Sequence, residues 1–202
     1  VGAGKTELLR ALFGADGLDS GQLAINGEPV TLTTPRQAVQ QGVYLVPEER
    51  RSQGVLLEEK IRQNISLPFL SQFSRILGLI DHLRERSHAA NLIDRLGITP
   101  PNTEAEVSNL SGGNQQKVVI GKWLTGKPRV VMFDEATQGI DVKAKQDVYA
   151  IARDLTHSAA VIYAASDIDE VIGIADRIIV MHDGAVVAEF SADAFDRNLI
   201  LE

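Results

Sequence analysis

The chain has 202 residues, 44% apolar and 23% charged, with no cysteine and a formal net charge of −7. That length suits one or two domains able to bury a core unaided, and the lack of cysteine excludes disulfides and thiolate zinc sites. The four histidines (His82, His88, His157 and His182) are not at metal-ligand spacing. No apolar run approaches the roughly 20 residues of a membrane-spanning helix. The acidic balance argues against nucleic acid as a main partner, because the densest basic cluster, Arg50–Arg51, directly follows Glu48 and Glu49.

Val1 stands inside a glycine loop with no methionine before it. The chain is therefore expected to be a fragment without its first strand. No signal-peptide pattern opens it, so any membrane role is expected to run through a partner. Lys5 to Phe13 reads as a helix, with Leu8, Leu9, Leu12 and Phe13 at helical spacing and Gly14 to end it. Asn26-Gly27 between two short alternating runs predicts a hairpin over 22–31. Thr34-Pro35 supplies an N-cap and a first helical position, and Val43 to Val46 is an apolar run of buried-strand length. The stretch 54–110 is polar and helix-rich. Its clearest helix runs from an Asp81 cap to Gly97, with Leu83, Ala90, Ile93 and Leu96 expected on one buried face. Thr99 to Glu106, holding Pro100-Pro101, reads as a loop.

From Ser111 the pattern alternates. A helix to Leu124 is followed by a strand Val130 to Phe133 and a helix from Asp141 to Thr156. A strand Ala160 to Ala164 and a helix Asp167 to Ala175 come next. A strand Arg177 to Met181, a turn at His182-Asp183-Gly184 and a strand Ala185 to Phe190 complete the series. Alternation with apolar strands predicts an α/β core whose parallel sheet is covered on both faces. The helical stretch is expected as an insertion into it.

Val1-Gly2-Ala3-Gly4-Lys5-Thr6 matches the last six positions of the phosphate-loop pattern G-x-x-x-x-G-K-S/T. Glycines there let backbone N–H groups curl around a phosphate, and the following helix points its positive end at the same anion. Lys5 would reach the β- and γ-phosphates and the Thr6 hydroxyl would ligate Mg²⁺. Alone, the stretch also fits an ordinary glycine turn. Val130-Val131-Met132-Phe133 then leads into Asp134-Glu135. Two carboxylates at the C-terminal end of a buried parallel strand lie where such sheets bind ligands. Asp134 is placed to hold Mg²⁺ and Glu135 to polarise an attacking water. A strand ending in solvated acids is the plainer reading of that stretch by itself. Its occurrence after a phosphate loop favours the chemical one.

Leu110-Ser111-Gly112-Gly113-Asn114-Gln115 makes a second anion-binding helix start, which suggests service to a different nucleotide. Here the chain resembles the ATP-binding cassette (ABC) ATPases, whose signature is L-S-G-G-x-Q. Gln138-Gly139-Ile140-Asp141 stands at that family's D-loop. The likeness is closest to the second cassette of the tandem ATPase subunits of bacterial sugar importers (ribose, galactose, xylose, arabinose and autoinducer-2 types). It is carried by Val1 to Leu8, by Pro47-Glu48-Glu49-Arg50-Arg51-Ser52-Gln53-Gly54, and by Leu110 to Val119 with Lys122-Trp123-Leu124. The resemblance implies a P-loop NTPase fold with the RecA-like core of ABC ATPases. It implies a nucleotide-binding core at 1–53 and 111–202, an inserted helical subdomain at 54–110, and ATP and Mg²⁺ as cofactors. Gly2, Ala3, Gly4, Lys5 and Thr6 would bind this chain's own nucleotide, with Thr6, Asp134 and Glu48 at the metal and Glu135, Lys5, Glu48 and Ser166 in catalysis. Ser111, Gly112, Gly113, Asn114 and Gln115 would complete the site of a second cassette, N-terminal in the same full-length chain, and Asp141 would serve in the D-loop. Transmembrane permease subunits, and indirectly a periplasmic sugar-binding protein, would be partners at the cytoplasmic face of the inner membrane.

Three positions depart from the family pattern. Glu48 replaces the usual Q-loop glutamine, as in the sugar-importer second cassettes. Ser166 replaces the switch histidine, and serine cannot carry positive charge to a γ-phosphate, so a slower site is expected. Ala136 replaces the usual proline after Asp134-Glu135. Arg50–Arg51 reads either as a solvated loop or as a contact with the transmembrane partner. His157 and His182 read as surface or turn residues, Trp123 as packing, and Tyr44 and Tyr163 as core. Two rivals stay open: a soluble ABC ATPase acting on nucleic acid or ribosomes, and a regulatory cassette that binds nucleotide with weak hydrolysis.

Overall fold

The computed structural model describes residues 2–75 and 78–191; Val1 of the phosphate-loop stretch lies outside them. In chain order the elements are α1 (Lys5–Leu12), β1 (Leu23–Ile25), β2 (Glu28–Val30), α2 (Pro35–Gln40), β3 (Val43–Val46), α3 (Ile61–Ser66), α4 (His82–Leu96), α5 (Gly112–Leu124), β4 (Val130–Asp134), α6 (Val142–Leu155), β5 (Ala160–Ala164), α7 (Ile168–Ile174), β6 (Arg177–His182) and β7 (Ala185–Ser191). Two compact units share them. The first draws on 2–45, 129–135 and 159–191, the second on 46–75, 78–128 and 136–158.

In the first unit β3, β4 and β5 form a sheet in that order, with β4 and β5 parallel from Val130↔Ala160 to Asp134↔Ala164. Leu9 of α1, Ile25, Leu32, Ala38 of α2, Val43, Leu45 and Met132 make one buried cluster. Each of these side chains other than that of Ala38 contributes about 1.5–3 kcal/mol on leaving water. Asn26 (φ 55°) and Gly27 (φ 80°) close the predicted hairpin, whose strands pair Leu23↔Val30. Thr34 caps α2 through the Gln37 N–H. The expected parallel sheet does not take in the last two strands, which were read on either side of a turn. β6 pairs with β7 antiparallel, in a sheet of their own. The cause is local: Asp183 (φ 47°) and Gly184 (φ 76°) form a tight turn whose twist suits a hairpin. Tyr44 is buried as expected, whereas Tyr163 is only half-buried and stacks on Phe133 at 5.6 Å between ring centroids.

In the second unit α5 packs on α3, α4 and α6. It buries Val118, Val119, Ile120 and Trp123. This is why α5 groups with the helical stretch, where the sequence suggested a boundary at 110/111. α4 begins at its Asp81 cap and ends at Gly97, as predicted. Its inward face, however, is Glu85, Ala89, Leu92, Ile93 and Leu96; Leu83 is 73% exposed. The face rotates because Glu85 is drawn inside. Its carboxylate accepts from Ser66 Oγ at 2.6 Å and pairs with Arg62 at 2.5 Å. Arg62 also reaches Glu104 at 2.8 Å, and Glu104 takes Lys60 at 2.8 Å. A spacing argument that sorts apolar from charged residues cannot see a carboxylate buried with its partners.

Burial pushes the Glu85 carboxyl up, but hydrogen bonds from Ser66, His82 and Arg62 outweigh it and hold the group below its ordinary value. Hydrogen bonds from Lys60 and Arg62 lower Glu104 to about 2. A carboxylate depressed in the folded state stabilises fully above its unfolded value, and that contribution fades as pH falls toward the folded one. The Glu104 contribution is thus expected to be present above the ordinary 4.5 and lost between there and about 2, measurable as urea midpoints against pH. Glu85→Ala, which leaves Arg62 with Glu104 alone and takes away the acceptor of Ser66 Oγ, is expected to cost about 1–3 kcal/mol in the same measurement at neutral pH.

Candidate functional site

Gly4 is the N-cap of α1 and sits at φ 89°, ψ 10°, a left-handed conformation that side chains resist. A Cβ there would stand 3.0 Å from the Cα of Gly184, and the Gly184 N–H donates to the Ala3 carbonyl at 3.1 Å. The β6–β7 turn therefore braces the glycine loop from outside. With the chain turned this way, the free N–H groups of the first turn of α1 face the loop, and the helix dipole adds partial positive charge there.

Lys5 and Thr6 are the first two residues of α1, and Asp134 ends β4. The Thr6 hydroxyl donates to Asp134 Oδ1 at 3.1 Å. Asp134 is buried at 2% exposure. Glu135, next in the chain, has φ 45°, a conformation that costs of order 1–3 kcal/mol in a non-glycine residue and recurs at functional sites. Its N–H is held by the Ala164 carbonyl at 2.9 Å. Its carboxylate accepts from Ser166 Oγ at 2.5 Å and lies 3.8 Å from Lys5 Nζ. Lys5 Nζ in turn donates to Ser166 Oγ at 3.3 Å. The geometry joins five predicted site residues, Lys5, Thr6, Asp134, Glu135 and Ser166, within one unit. A cation, two acids, two hydroxyls and a helix N-terminus are what a phosphate chain with a hard divalent cation requires. Among the described residues no three His, Cys, Asp or Glu side chains gather as a metal cage. The hydroxyl–carboxylate pair instead suits an ion that keeps water and phosphate oxygens as its other ligands.

The remaining predicted residues lie in the second unit. Glu48 is half-buried just after β3, and its carbonyl accepts from the Arg50 N–H at 3.0 Å. Ser111 caps α5 by accepting from the Asn114 N–H, and the Asn114 side-chain amide donates to Ser111 Oγ at 3.0 Å. Gly113 leaves no room for a side chain, since a Cβ would meet Ala144 Cβ at 2.4 Å, and a Cβ on Gly112 would meet Arg50 Nη2 at 2.6 Å. Gln115 was expected to join them in completing the nucleotide site of a second cassette. It is instead 1% exposed, its Nε2 donating to the Val107 carbonyl at 3.1 Å; its position on α5 turns it inward, so it braces the signature turn. Asp141 caps α6 through the Ala144 N–H at 3.0 Å.

Sequence reasoning missed the contacts of Arg50, which is half-buried. Its Nη1 donates to the Gln138 carbonyl at 2.9 Å and its Nη2 to the Gly139 carbonyl at 3.4 Å. No pattern signals this, because carbonyl acceptors have no residue type. It also missed Lys122, whose Nζ donates to the Gly54 carbonyl at 2.6 Å and whose burial lowers its pKa to about 8. Trp123 is packing, and His157 and His182 are exposed, as expected.

Fold and glycine loop together are those of a P-loop protein of the ATP-binding cassette class. The chain belongs to the ABC transporter family, whose model matches residues 1–138. It is 46% identical over 193 residues to the ribose import ATP-binding protein RbsA of Bacillus subtilis (strain 168), covering 95% of this chain and 39% of that protein. It is 42% identical over 202 residues to the arabinose import ATP-binding protein AraG of Pectobacterium atrosepticum, covering 99% and 40%. The chain thus spans about two fifths of the length of these relatives. Among solved structures, the ADP conformation of MJ1267, an ATP-binding cassette of an ABC transporter, superposes with a TM-score of 0.80 at 19% identity, over 99% of this chain and 80% of that one. The post-hydrolysis dimer of the cassette MJ0796 bound to ADP and Pi superposes at 0.78 and 20%, over 96% and 82%. At such identities the likeness concerns the fold.

Gly4→Ala is expected to lose about 1–2 kcal/mol from the left-handed backbone alone. It is also expected to separate Gly184 from Ala3, read as faster exchange of the Gly184 amide beside an unchanged rate at Leu45.

Proposed function

We propose that this chain is the second, ATP-hydrolysing cassette of an ABC importer for a monosaccharide. Its cycle of pairing and release with a first cassette, N-terminal in the same protein, would drive permease subunits at the cytoplasmic face of the inner membrane. A periplasmic sugar-binding protein would deliver the cargo. The observation that carries the reading is the convergence of Thr6 on Asp134 at 3.1 Å with Lys5 3.8 Å from Glu135. Import of a sugar is supported by the names of the relatives, ribose and arabinose import ATP-binding proteins.

In this reading the amides of Gly2 to Thr6 cradle the phosphates, and Lys5 takes charge from the β- and γ-phosphates. Thr6 and Asp134 would hold Mg²⁺, and the ion would neutralise charge developing on the phosphoryl oxygens. Glu135 orients and polarises the attacking water. Its strained backbone and its bond from Ser166 fix the carboxylate before substrate arrives, so little reorganisation is left for the reaction step. Ser111, Gly112, Gly113 and Asn114 present a capped helix N-terminus to the nucleotide of the first cassette, with Gln115 supporting them from behind and Asp141 fixing the D-loop at the start of α6.

One feature favours a second reading, a regulatory cassette with weak hydrolysis. Ser166 bonds both Lys5 and Glu135, yet a hydroxyl brings no cationic charge to a γ-phosphate.

In the full-length protein that carries this chain, Glu135→Gln is expected to lower hydrolysis at this site by about 10²–10⁴-fold while MgATP still binds, read by single-turnover hydrolysis and nucleotide binding. Wild-type protein that fails to bind MgATP would sink the reading. Lys5→Ala here is expected to reduce steady-state hydrolysis less than the same change in the first cassette; equal losses would count against a slower local site.

A further inference from the structure

The turn Arg50–Gly54 follows Glu48 by two positions, and the Gln138-Gly139 loop follows Glu135 by three. One guanidinium joins the two segments. Arg50 Nη1 and Nη2 reach the carbonyls of Gln138 and Gly139 at 2.9 and 3.4 Å. The same group lies against Gly112, the first residue of α5, where a Cβ would meet Nη2 at 2.6 Å and the Gly139 carbonyl at 3.3 Å. At its other end the turn is clamped to α5 again. Lys122 Nζ holds the Gly54 carbonyl at 2.6 Å, and a Cβ on Gly54 would stand 2.8 Å from Val119 Cγ2. Beyond the loop, Asp141 caps α6, and Gly113 admits Ala144 so closely that a Cβ would fall 2.4 Å from it.

We propose that Arg50 is a positioning residue for ATP hydrolysis, locking the 138–141 loop to the start of α5 and to the turn behind Glu48, so that the three segments move as one body. The inference rests on the reading above for its effect on hydrolysis, but its mechanical part does not. Two carbonyls on consecutive residues need a planar fork of donors, which arginine has and lysine lacks. Arg50 makes no ion pair among the described residues, and its Nε is buried without a partner. The group is therefore held by carbonyl geometry and packing. Because it touches the backbone that follows each acid, its loss should disturb how the acids are presented during reaction more than how nucleotide is first held.

The test uses Arg50→Gln, Arg50→Lys and, as control, the exposed neighbour Arg51→Gln, all in the full-length protein. Hydrogen exchange is expected to speed at least tenfold at the amides of 138–141 in both Arg50 variants, with residues 148–155 of α6 unchanged. ATP hydrolysis is expected to show kcat lowered at least tenfold with KM within twofold, and Arg51→Gln is expected to match wild type in both. Wild-type exchange at 138–141 in Arg50→Lys, or restored kcat in that variant, would overturn the proposal, since charge alone would then suffice. A rise in KM at unchanged kcat would overturn it too. If Arg50→Gln unfolds, Arg50→Lys, which keeps the alkyl stem against α5, carries both measurements. Wild-type protein without ATPase activity would defeat the functional reading, whereas unchanged loop exchange in the variants would defeat this one.

Discussion

The contact between the Thr6 hydroxyl and the Asp134 carboxylate, at 3.1 Å, is what the chemistry of the first unit depends on. It ties the first turn of a helix to the last residue of a buried strand, two points far apart in the chain. For the two to meet, α1 must pack on the sheet, which Leu9 secures by joining Val43, Leu45 and Met132 in one cluster. The end of β4 must also stop where it does, which the left-handed backbone of Glu135 brings about. Apolar packing sets the distance, and the polar pair makes use of it. A shift of one residue in either element would turn Asp134 or Thr6 to another face.

How much of this was legible in the sequence varies with the kind of interaction. Helix and strand limits marked by Thr34, Asp81, Ser111, Asp141 and Asp167 were readable because each cap is a local side-chain-to-backbone bond. The convergence of Lys5, Thr6, Asp134 and Glu135 was readable because a loop before a helix and acids after a strand are local patterns whose meeting is enforced by parallel topology, whereas Ser166 was placed with them by the resemblance alone. The inward face of α4 was not, since it depends on Arg62 and Ser66 receiving Glu85. The turn at His182-Asp183-Gly184 between β6 and β7 was readable, but not that the two strands form a sheet of their own. The burial of Gln115 was not readable either, because a signature names positions while helical geometry decides which of them face out.

The second unit gains its order from polar groups as much as from apolar ones. Glu85 is 3% exposed, yet it has Arg62 and Ser66 as partners, and Glu104 gathers Lys60, Arg62 and Arg86 around one carboxylate. Buried pairs of this sort add little net stability over apolar packing but punish any arrangement that separates the partners. They thus favour one register of α3 against α4.

The same logic applies to the carbonyls that close around α5. A helix whose residues are buried on most sides cannot rotate without dislodging its neighbours, so its N-terminus is presented in one orientation only. Gly112 and Gly113 are small because Arg50 and Ala144 occupy the space beside them. Of the two glycines that sequence reading assigned to anion binding, Gly113 is therefore also demanded by packing, and Gly112 leaves the Arg50 guanidinium its place. The two requirements coincide: a helix start bare enough to approach a phosphate is also bare enough for a guanidinium and a second helix to close in behind it.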